Sequence, residues 1–260
     1  MTDATLIVEC SGPVWHVTLN RPQQGNACSA GLVASLDEVL QRAGCEGAQA
    51  MVLRGAGRHF CTGFDLSAIA SETDDSLLAR FVRIELMLQR LARAPFLTVA
   101  VAQGRAIGAG ADIFTACAVR CIDGDASFAY PGARGFGLVL GTRRLCEVVG
   151  VTRALGWTES GAAISAEEAL QTSLATHATK SGFPLDELLG SILTPRDGID
   201  HIAADALRRA ASPTRAQDDA SDLFRLVESA ARHGLRDRIA NYIERAAARK
   251  FSPPPLSSLP

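Results

Sequence analysis

The spacing of apolar positions differs between the first and the second half of this chain. Early on, short apolar or alternating runs predict strands, and these fall at residues 5–10, 14–20, 50–54, 96–102, 120–122 and 127–129. Helical spacing predicts helices that begin after Ser29 and that span 76–92 and 108–119. From about residue 139 onward helices dominate, at 139–157, 165–170, 184–194, 198–210, 217–231 and 234–248. The pattern predicts a mixed α/β protein.

The change in pattern also predicts how the chain is divided. We expect an α/β core over residues 1–195 and a helical region over 196–250. The last segment, 251–260, contains four prolines and three serines, and this composition is typical of an extended or disordered tail.

A glycine-rich turn joins the strand predicted at 96–102 to the helix that follows it. Residues 104–112 read Gly-Arg-Ala-Ile-Gly-Ala-Gly-Ala-Asp. Glycines permit a close backbone approach, and the first N–H groups of a helix have no partner inside the helix. We therefore expect the turn to bind a polarised or negatively charged oxygen, with the carboxyl group of Asp112 one turn away.

A second glycine-rich loop, residues 55–66, follows the strand predicted at 50–54. Gly63 would let the N–H of Phe64 project into a cleft, as the N–H of Ala109 would project from the first turn. Two donors on separate loops can hold one oxygen whose negative charge grows during a reaction. The two loops therefore predict an oxyanion hole.

Charge and cysteine content narrow the functional classes. The net charge is −2, which gives no electrostatic reason for nucleic-acid binding, and no apolar run reaches the ~20 residues of a membrane span. Seven cysteines without a Cys-x-x-Cys pair predict reduced thiols and no metal site. The first ten residues carry acids and no cationic start, unlike a signal peptide, so we expect a cytoplasmic protein.

Four motifs resemble those of the enoyl-CoA hydratase/isomerase, or crotonase, superfamily. They are Leu-Asn-Arg-Pro at 19–22 with Asn26-Ala27, Phe-Cys-Thr-Gly-Phe-Asp-Leu at 60–66, the stretch 102–112, and Ile-Ser-Ala-Glu-Glu-Ala-Leu at 164–170. They occur in the family's order and spacing over about residues 5–180. One such motif would be weak, whereas four in register make the chain similar to this family.

The resemblance implies a spiral of ββα units with a C-terminal helical trimerisation region, and hence a homotrimer or a dimer of trimers. It implies an acyl-CoA thioester substrate, with coenzyme A as part of that substrate and no separate cofactor. The family's two oxyanion donors fall on the backbone N–H groups of Phe64 and Ala109. Further substrate or coenzyme A contacts are expected at Arg21, Gly63, Asp65, Leu66, Gly108 and Arg134.

The chain departs from the family at both acidic positions of the hydratases. Asp112 stands where they carry their first glutamate, and its side chain is one methylene shorter. The position of the second glutamate is Gly132, which has no acid–base group. Asp112 is therefore the candidate for proton transfer, although the helix dipole also favours an acid at a helix start without any catalytic role.

Two functions remain open at this point. The first is an enzyme that hydrates or isomerises an enoyl-CoA through an enolate. The alternative is a non-catalytic homologue that binds acyl-CoA and has lost the usual second carboxylate. A dinucleotide-binding protein is disfavoured, because Phe60 occupies the third glycine position of the Gly55-x-Gly57 motif.

Overall fold

A computed structural model describes residues 4–179, 185–194, 198–211 and 216–251. Its strands are Leu6–Ser11 (β1), Val14–Leu19 (β2), Ala50–Gly55 (β3), Leu97–Ile107 (β4), Val119–Ala129 (β5), Ile164–Ser165 (β6) and His177–Ala178 (β7). Its α-helices are Ala30–Cys45 (α1), Asp74–Ala92 (α2), Ala109–Ala116 (α3), Gly132–Phe136 (α4), Thr142–Val149 (α5), Val151–Ser160 (α6), Ala166–Gln171 (α7), Leu185–Leu193 (α8), His201–Ala211 (α9), Ala216–Ala230 (α10) and Leu235–Phe251 (α11). The tail predicted at 251–260 lies, beyond Phe251, outside the described residues.

The strands form a single mixed sheet in the order β1-β2-β3-β4-β5-β6, with β7 also paired to β5. Pairing is antiparallel between β1 and β2, and parallel from β2 through β5. The central strand β3 is buried on both faces. Met51 and Leu53 join the main core, and Val52 joins a smaller core that includes Leu188 and Leu189 of α8. Apolar side chains on both faces are typical of parallel strands covered by helices, so the predicted α/β class is confirmed.

Element boundaries differ from the predicted ones around the first glycine turn. The strand predicted at 96–102 continues to Ile107 as β4, because β4 keeps pairing with β5 past a register shift between Ala102 and Gly104. The two short strands predicted near residues 120 and 128 are one strand, β5. The helix predicted at 108–119 ends at Ala116, since the following residues enter that strand.

The helix predicted at 139–157 is two helices, α5 and α6. Gly150 separates them with a φ of +83°, a conformation that ends a regular helix and that glycine adopts without steric cost. The short helix α4 was not predicted, because its five residues, Gly-Ala-Arg-Gly-Phe, show no apolar periodicity.

The C-terminal helices fold back on the α/β core. Leu226, Ala230, Leu235 and Ile239 are buried in the main core cluster. The carboxylate of Asp74, at the start of α2, accepts hydrogen bonds from the first N–H groups of the α11 segment, at 2.8 to 3.2 Å. An acid at this position satisfies donors that the helix itself leaves unpaired. Further along α11, the ring of Tyr242 packs edge-on against Phe136 of α4.

Candidate active site

The second glycine loop runs alongside the far half of β4. The N–H groups of Phe60 and Cys61 donate to the carbonyl oxygens of Gln103 and Arg105, at 2.9 and 3.1 Å, and the N–H of Ile107 donates back to Cys61 at 3.0 Å. The two loops that the sequence singled out are therefore joined by backbone hydrogen bonds. Parallel strand pairing thus brings together two loops that are distant along the chain.

Gly63 and Gly108 bring the two loops into direct contact. Gly63 has a φ of +95°, and a Cβ there would lie 2.6 Å from the carbonyl oxygen of Ile107 and 3.7 Å from the backbone nitrogen of Ala109. Gly108 has a φ of +52° and donates its N–H to the carbonyl of Ala129 at 2.8 Å. Only glycine combines that backbone conformation with that proximity at Gly63.

Two backbone N–H groups remain without a partner at this contact. Cys28 forms a parallel bridge with Phe64, donating to Gly63 and accepting from Asp65, so the N–H of Phe64 faces away from the bridge. Ala109 is the first residue of α3, and its N–H precedes the helical ladder. Within the described part of the chain, neither the Phe64 nor the Ala109 N–H has an acceptor.

Both residues open onto one cleft, whose polar end is formed by the two glycine loops. Gly63, Phe64, Leu66, Gly108, Ala109 and Asp112 all line it, as Gly132 does. The remaining wall is largely apolar and comes from Phe81, Phe136, Leu138, Leu140 and Tyr242. Sequence reasoning missed these apolar wall residues, because α2, the α4 region and α11 reach the cleft only through tertiary packing.

Asp112 is buried, with 5% of its surface exposed, and it faces the cleft. Among the described residues, no group makes a hydrogen bond to its carboxyl oxygens. Burial raises the pKa of Asp112 well above its usual range. The nearby Arg144 cation opposes that shift, and the Glu85 carboxylate adds to it. The group is therefore held as a neutral acid over a wider pH range than a surface aspartate.

A buried ion pair lies behind Asp112. Arg144 of α5 donates to Glu85 of α2 through two nitrogens, at 2.6 and 2.9 Å, and the two side chains are 4% and 1% exposed. Arg144 also contacts Asp222 of α10 at 3.3 Å. Because the arginine is already paired, it neutralises Glu85 and leaves Asp112 without a direct cationic partner. Sequence analysis did not find this pair, whose members are distant along the chain.

Tyr130 contributes its ring to the cleft and directs its hydroxyl elsewhere. Thr115 donates to the carbonyl of Ala111 at 2.8 Å, so it accepts the proton of the Tyr130 hydroxyl at 2.7 Å. Burial raises the pKa of Tyr130 above its usual range. Tyr130 therefore keeps its phenol proton, which it donates to Thr115 in a buried hydrogen bond.

Arg21 and Asp65 form an ion pair at 2.8 Å. Arg21 also donates to the carbonyl of Ala27 at 2.7 Å. Burial alone would raise the pKa of Asp65, but hydrogen bonds from Ser67 and Arg21 lower it below its usual range. The pair ties the loop before α1 to the second glycine loop, and the expected coenzyme A contacts of both residues stay predictions.

Arg134 points away from the cleft. Its guanidinium lies 3.4 Å from the carbonyl oxygen of Glu159, at the end of α6. Its neighbours Gly132 and Ala133 line the cleft in its place, so the loop position where the hydratases carry their second glutamate presents no acid here. A substrate contact by Arg134 also stays a prediction.

Residues 9–224 match the family model described as enoyl-CoA hydratase/isomerase. The chain belongs to the enoyl-CoA hydratase/isomerase family. Both glycine loops and Asp112 lie inside the matched region. Within the described residues, no group of three or more His, Cys, Asp or Glu side chains could hold a metal ion, and no helix is long and apolar enough to cross a membrane.

Relatives of the chain are named either as enoyl-CoA hydratases or as ethylmalonyl-CoA decarboxylases. The chain is 37% identical over 167 residues to a probable enoyl-CoA hydratase of Mycobacterium bovis, covering 62% of this chain and 65% of that protein. It is 31% identical over 163 residues to ethylmalonyl-CoA decarboxylase of Mus musculus, covering 61% and 50%. The first match thus spans just under two thirds of the Mycobacterium bovis protein, and the second spans one half of the Mus musculus protein.

A solved structure extends the similarity over nearly the whole chain. A crystal structure from Bordetella parapertussis, provisionally designated an enoyl-CoA hydratase/isomerase, superposes with a TM-score of 0.88 at 36% identity. It covers 93% of this chain and 99% of that one. This similarity confirms the predicted crotonase-like fold of this enoyl-CoA hydratase/isomerase family member.

Proposed function

We propose that this protein is an enzyme that acts on an acyl-CoA thioester through an enolate intermediate. The observation that carries the proposal is the pair of N–H groups on Phe64 and Ala109, which have no acceptor among the described residues and lie at one end of a largely apolar cleft. Two fixed donors polarise a thioester carbonyl and stabilise the oxygen once it becomes negative. Removing one donor of this kind typically raises the activation barrier by about 3–4 kcal/mol.

Asp112 is the proton donor in this proposal. Its burial against the cleft and its raised pKa keep the carboxyl group protonated to a higher pH than that of a surface aspartate, and in its protonated form it can deliver a proton to the enolate carbon. Hydration of an enoyl-CoA ends in this step: water adds at the β-carbon and loses a proton to solvent, and Asp112 protonates the α-carbon and regains a proton from solvent. Isomerisation of a 3-enoyl-CoA requires Asp112 first in its ionised form, to take a proton from the α-carbon, and then in its protonated form, to return that proton to the γ-carbon of the dienolate.

A second candidate reaction is decarboxylation of a malonyl-type thioester. It is favoured by one observation, that the cleft combines the buried acid Asp112, whose pKa is raised, with Gly132, where the hydratases carry a base. In this reaction the bond from the α-carbon to the carboxylate breaks, its electron pair enters the enolate and CO2 leaves. Asp112 then protonates the α-carbon and regains its proton from water. The name of the Mus musculus relative agrees with this candidate.

Three further features belong to the same proposal. Coenzyme A enters as part of the substrate, and the loop held by Arg21 and Asp65 borders its path. The protein assembles as a homotrimer or a dimer of trimers and acts in the cytoplasm. An experiment distinguishes this enzyme from the alternative that the sequence left open, a protein that binds acyl-CoA without turnover.

The experiment is turnover of crotonyl-CoA, a 3-enoyl-CoA and ethylmalonyl-CoA, measured together with the Kd of each ester. We expect turnover of at least one ester, and we expect Asp112→Asn to reduce it by about 100-fold or more with a nearly unchanged Kd. The matched control is Asp75→Asn, because Asp75 is an exposed acid in the first turn of α2. Tight binding without turnover on all three esters supports the binding protein, and absence of binding contradicts the thioester proposal.

A further inference from the structure

The direction of the Phe64 N–H depends on how the segment around it is held. Cys28 donates to the carbonyl of Gly63 at 2.7 Å and accepts from the N–H of Asp65 at 3.3 Å. These two hydrogen bonds fix one edge of the segment and leave the N–H of Phe64 on the other edge. A parallel bridge of one residue pair is a weak restraint by itself, so other contacts have to hold the segment in place.

The ring of Phe64 has two planar neighbours, both from α2. The guanidinium carbon of Arg80 lies 4.1 Å from the ring centre. The ring of Phe81 stacks at 4.4 Å between centres, with 21° between the planes. Close contacts of a cation and an aromatic ring with Phe64 restrict both the side chain and the peptide from which it projects.

The same guanidinium also binds the backbone on both sides of the bridge. One nitrogen of Arg80 lies 3.2 Å from the carbonyl oxygen of Asp65 and 3.4 Å from that of Cys28. The other is paired with Glu72 at 2.7 Å. The two charged side chains are only 11% and 16% exposed, so water screens the pair weakly.

We infer that Arg80 is a positioning residue of the oxyanion hole, which holds the Gly63–Phe64 peptide so that its N–H points into the cleft. The inference rests on the proposed function for its chemistry, but the contact itself exists in the free protein. Arg80 does not itself line the cleft, and within the described part of the chain it makes no hydrogen bond or ion pair with Asp112. Its effect on catalysis passes through the ring of Phe64 and the backbone of Cys28 and Asp65 on either side of it.

Lysine cannot replace arginine in this role. It keeps the positive charge, but it lacks the planar group that stacks on the ring while one nitrogen contacts the two carbonyl oxygens and the other binds Glu72. Arg80→Lys therefore removes the geometry while keeping the charge. Glu72→Gln is a second, milder variant, because it loosens the ion pair that holds Arg80 and leaves the stacking partner in place.

The chain offers a matched control in Arg42. Its guanidinium carbon lies 4.7 Å from the ring centre of Trp15, and it pairs with Glu46 at 3.4 Å. Neither Arg42 nor Trp15 lines the cleft. Arg42→Lys thus alters a cation–ring contact and a more exposed arginine ion pair, both outside the residues that line the cleft.

The first measurement is amide hydrogen exchange of the segment 60–66 in the free protein. We expect exchange to become about 10-fold faster in Arg80→Lys, less so in Glu72→Gln, and not at all in Arg42→Lys. Unchanged exchange in a folded Arg80→Lys protein overturns the inference. If exchange is faster in Arg80→Lys but the wild-type protein binds no thioester, the positioning contact is supported and the proposed function is rejected.

The second measurement is the infrared carbonyl band of crotonyl-CoA carrying 13C at the thioester carbon. Bound to the wild-type protein, the band should move to lower frequency, and in Arg80→Lys it should return towards its value in water. For an ester that turns over, kcat should fall by about 10-fold or more with KM changed by less than about 3-fold, since the donor acts mainly on the developing oxyanion. A merely structural arginine would lower the Tm and leave the carbonyl band of the folded protein unchanged.

Discussion

Gly141 lies so close to Asp112 that a Cβ atom on Gly141 would overlap the carboxyl oxygen Oδ1. Gly141 is the N-cap residue of α5, with a φ of +67°, and Arg144 follows within the first turn of that helix. One helix start therefore supplies both the bare backbone against which Asp112 rests and the arginine behind it. The position of the proposed acid is set by α5 as much as by its own helix, α3.

Gly141→Ala should displace the Asp112 carboxyl group without altering either N–H donor. We expect turnover of the preferred ester to fall by about 10-fold or more, because a shift of about 1 Å misplaces the proton. The matched control is Gly150→Ala, at the N-cap of α6, where φ is +83° and no atom lies within 4 Å of the new Cβ. Both variants should lose stability through backbone strain, and equal loss of turnover in both would contradict the contact.

Asp112→Asn should change how stability depends on pH. The pKa of Asp112 is raised in the folded protein, whereas in the unfolded chain it is about 3.9. Above pH ~4 the unfolded chain releases this proton more readily, so the wild-type protein loses stability relative to Asp112→Asn as pH rises towards the folded-state pKa. The slope should reach up to about 1.4 kcal/mol per pH unit.

Urea unfolding at several pH values between 4 and 8 measures this difference. The exposed-acid variant Asp75→Asn should track the wild-type protein across the range. A constant difference between the wild-type protein and Asp112→Asn would show that the buried carboxyl group titrates normally.

The two glycine loops could be predicted from the sequence because their chemistry is local. Gly63 and Gly108 allow backbone conformations that other residues resist, and the first N–H of α3 is unpaired for any helix. Strand pairing then brings the loops together, as the parallel order of β3 and β4 requires. The resemblance to the enoyl-CoA hydratase/isomerase family added the substrate class, which no local pattern contains.

The cleft walls and the surroundings of Asp112 could not be predicted in the same way. Glu85 and Arg144 are 59 positions apart, and no sequence pattern distinguishes either of them from the other charged residues on predicted helices. Their pairing follows from the packing of α2 against α5 and α10. The split of the predicted helix at Gly150 was missed for a related reason, since a single glycine inside an apolar helical pattern is often tolerated.

Tyr242 should limit the length of the acyl chain. It lies on α11, its ring meets Phe136 edge-on at 5.0 Å, and both rings line the cleft. Tyr242→Ala should raise kcat/KM for an eight-carbon ester relative to a four-carbon ester by about 10-fold, because hydrophobic pockets discriminate by roughly this factor. Tyr242→Phe keeps the ring and should keep the wild-type ratio, and an unchanged ratio in Tyr242→Ala would place the end of the acyl pocket elsewhere.

Gly132→Glu should introduce the second carboxylate that the cleft lacks. The Gly132 backbone is not in the left-handed region, and a Cβ there meets only the carbonyl oxygen of Leu138, at 3.3 Å, so a side chain fits after a small shift. A glutamate at this position could activate water while Asp112 protonates the enolate. We expect crotonyl-CoA hydration to rise by about 10-fold or more, with a bell-shaped pH profile from the two groups. Gly132→Gln has nearly the same size and no basic group, so an equal rise in both variants would mean that cleft shape, rather than the missing base, limits hydration in the wild-type protein.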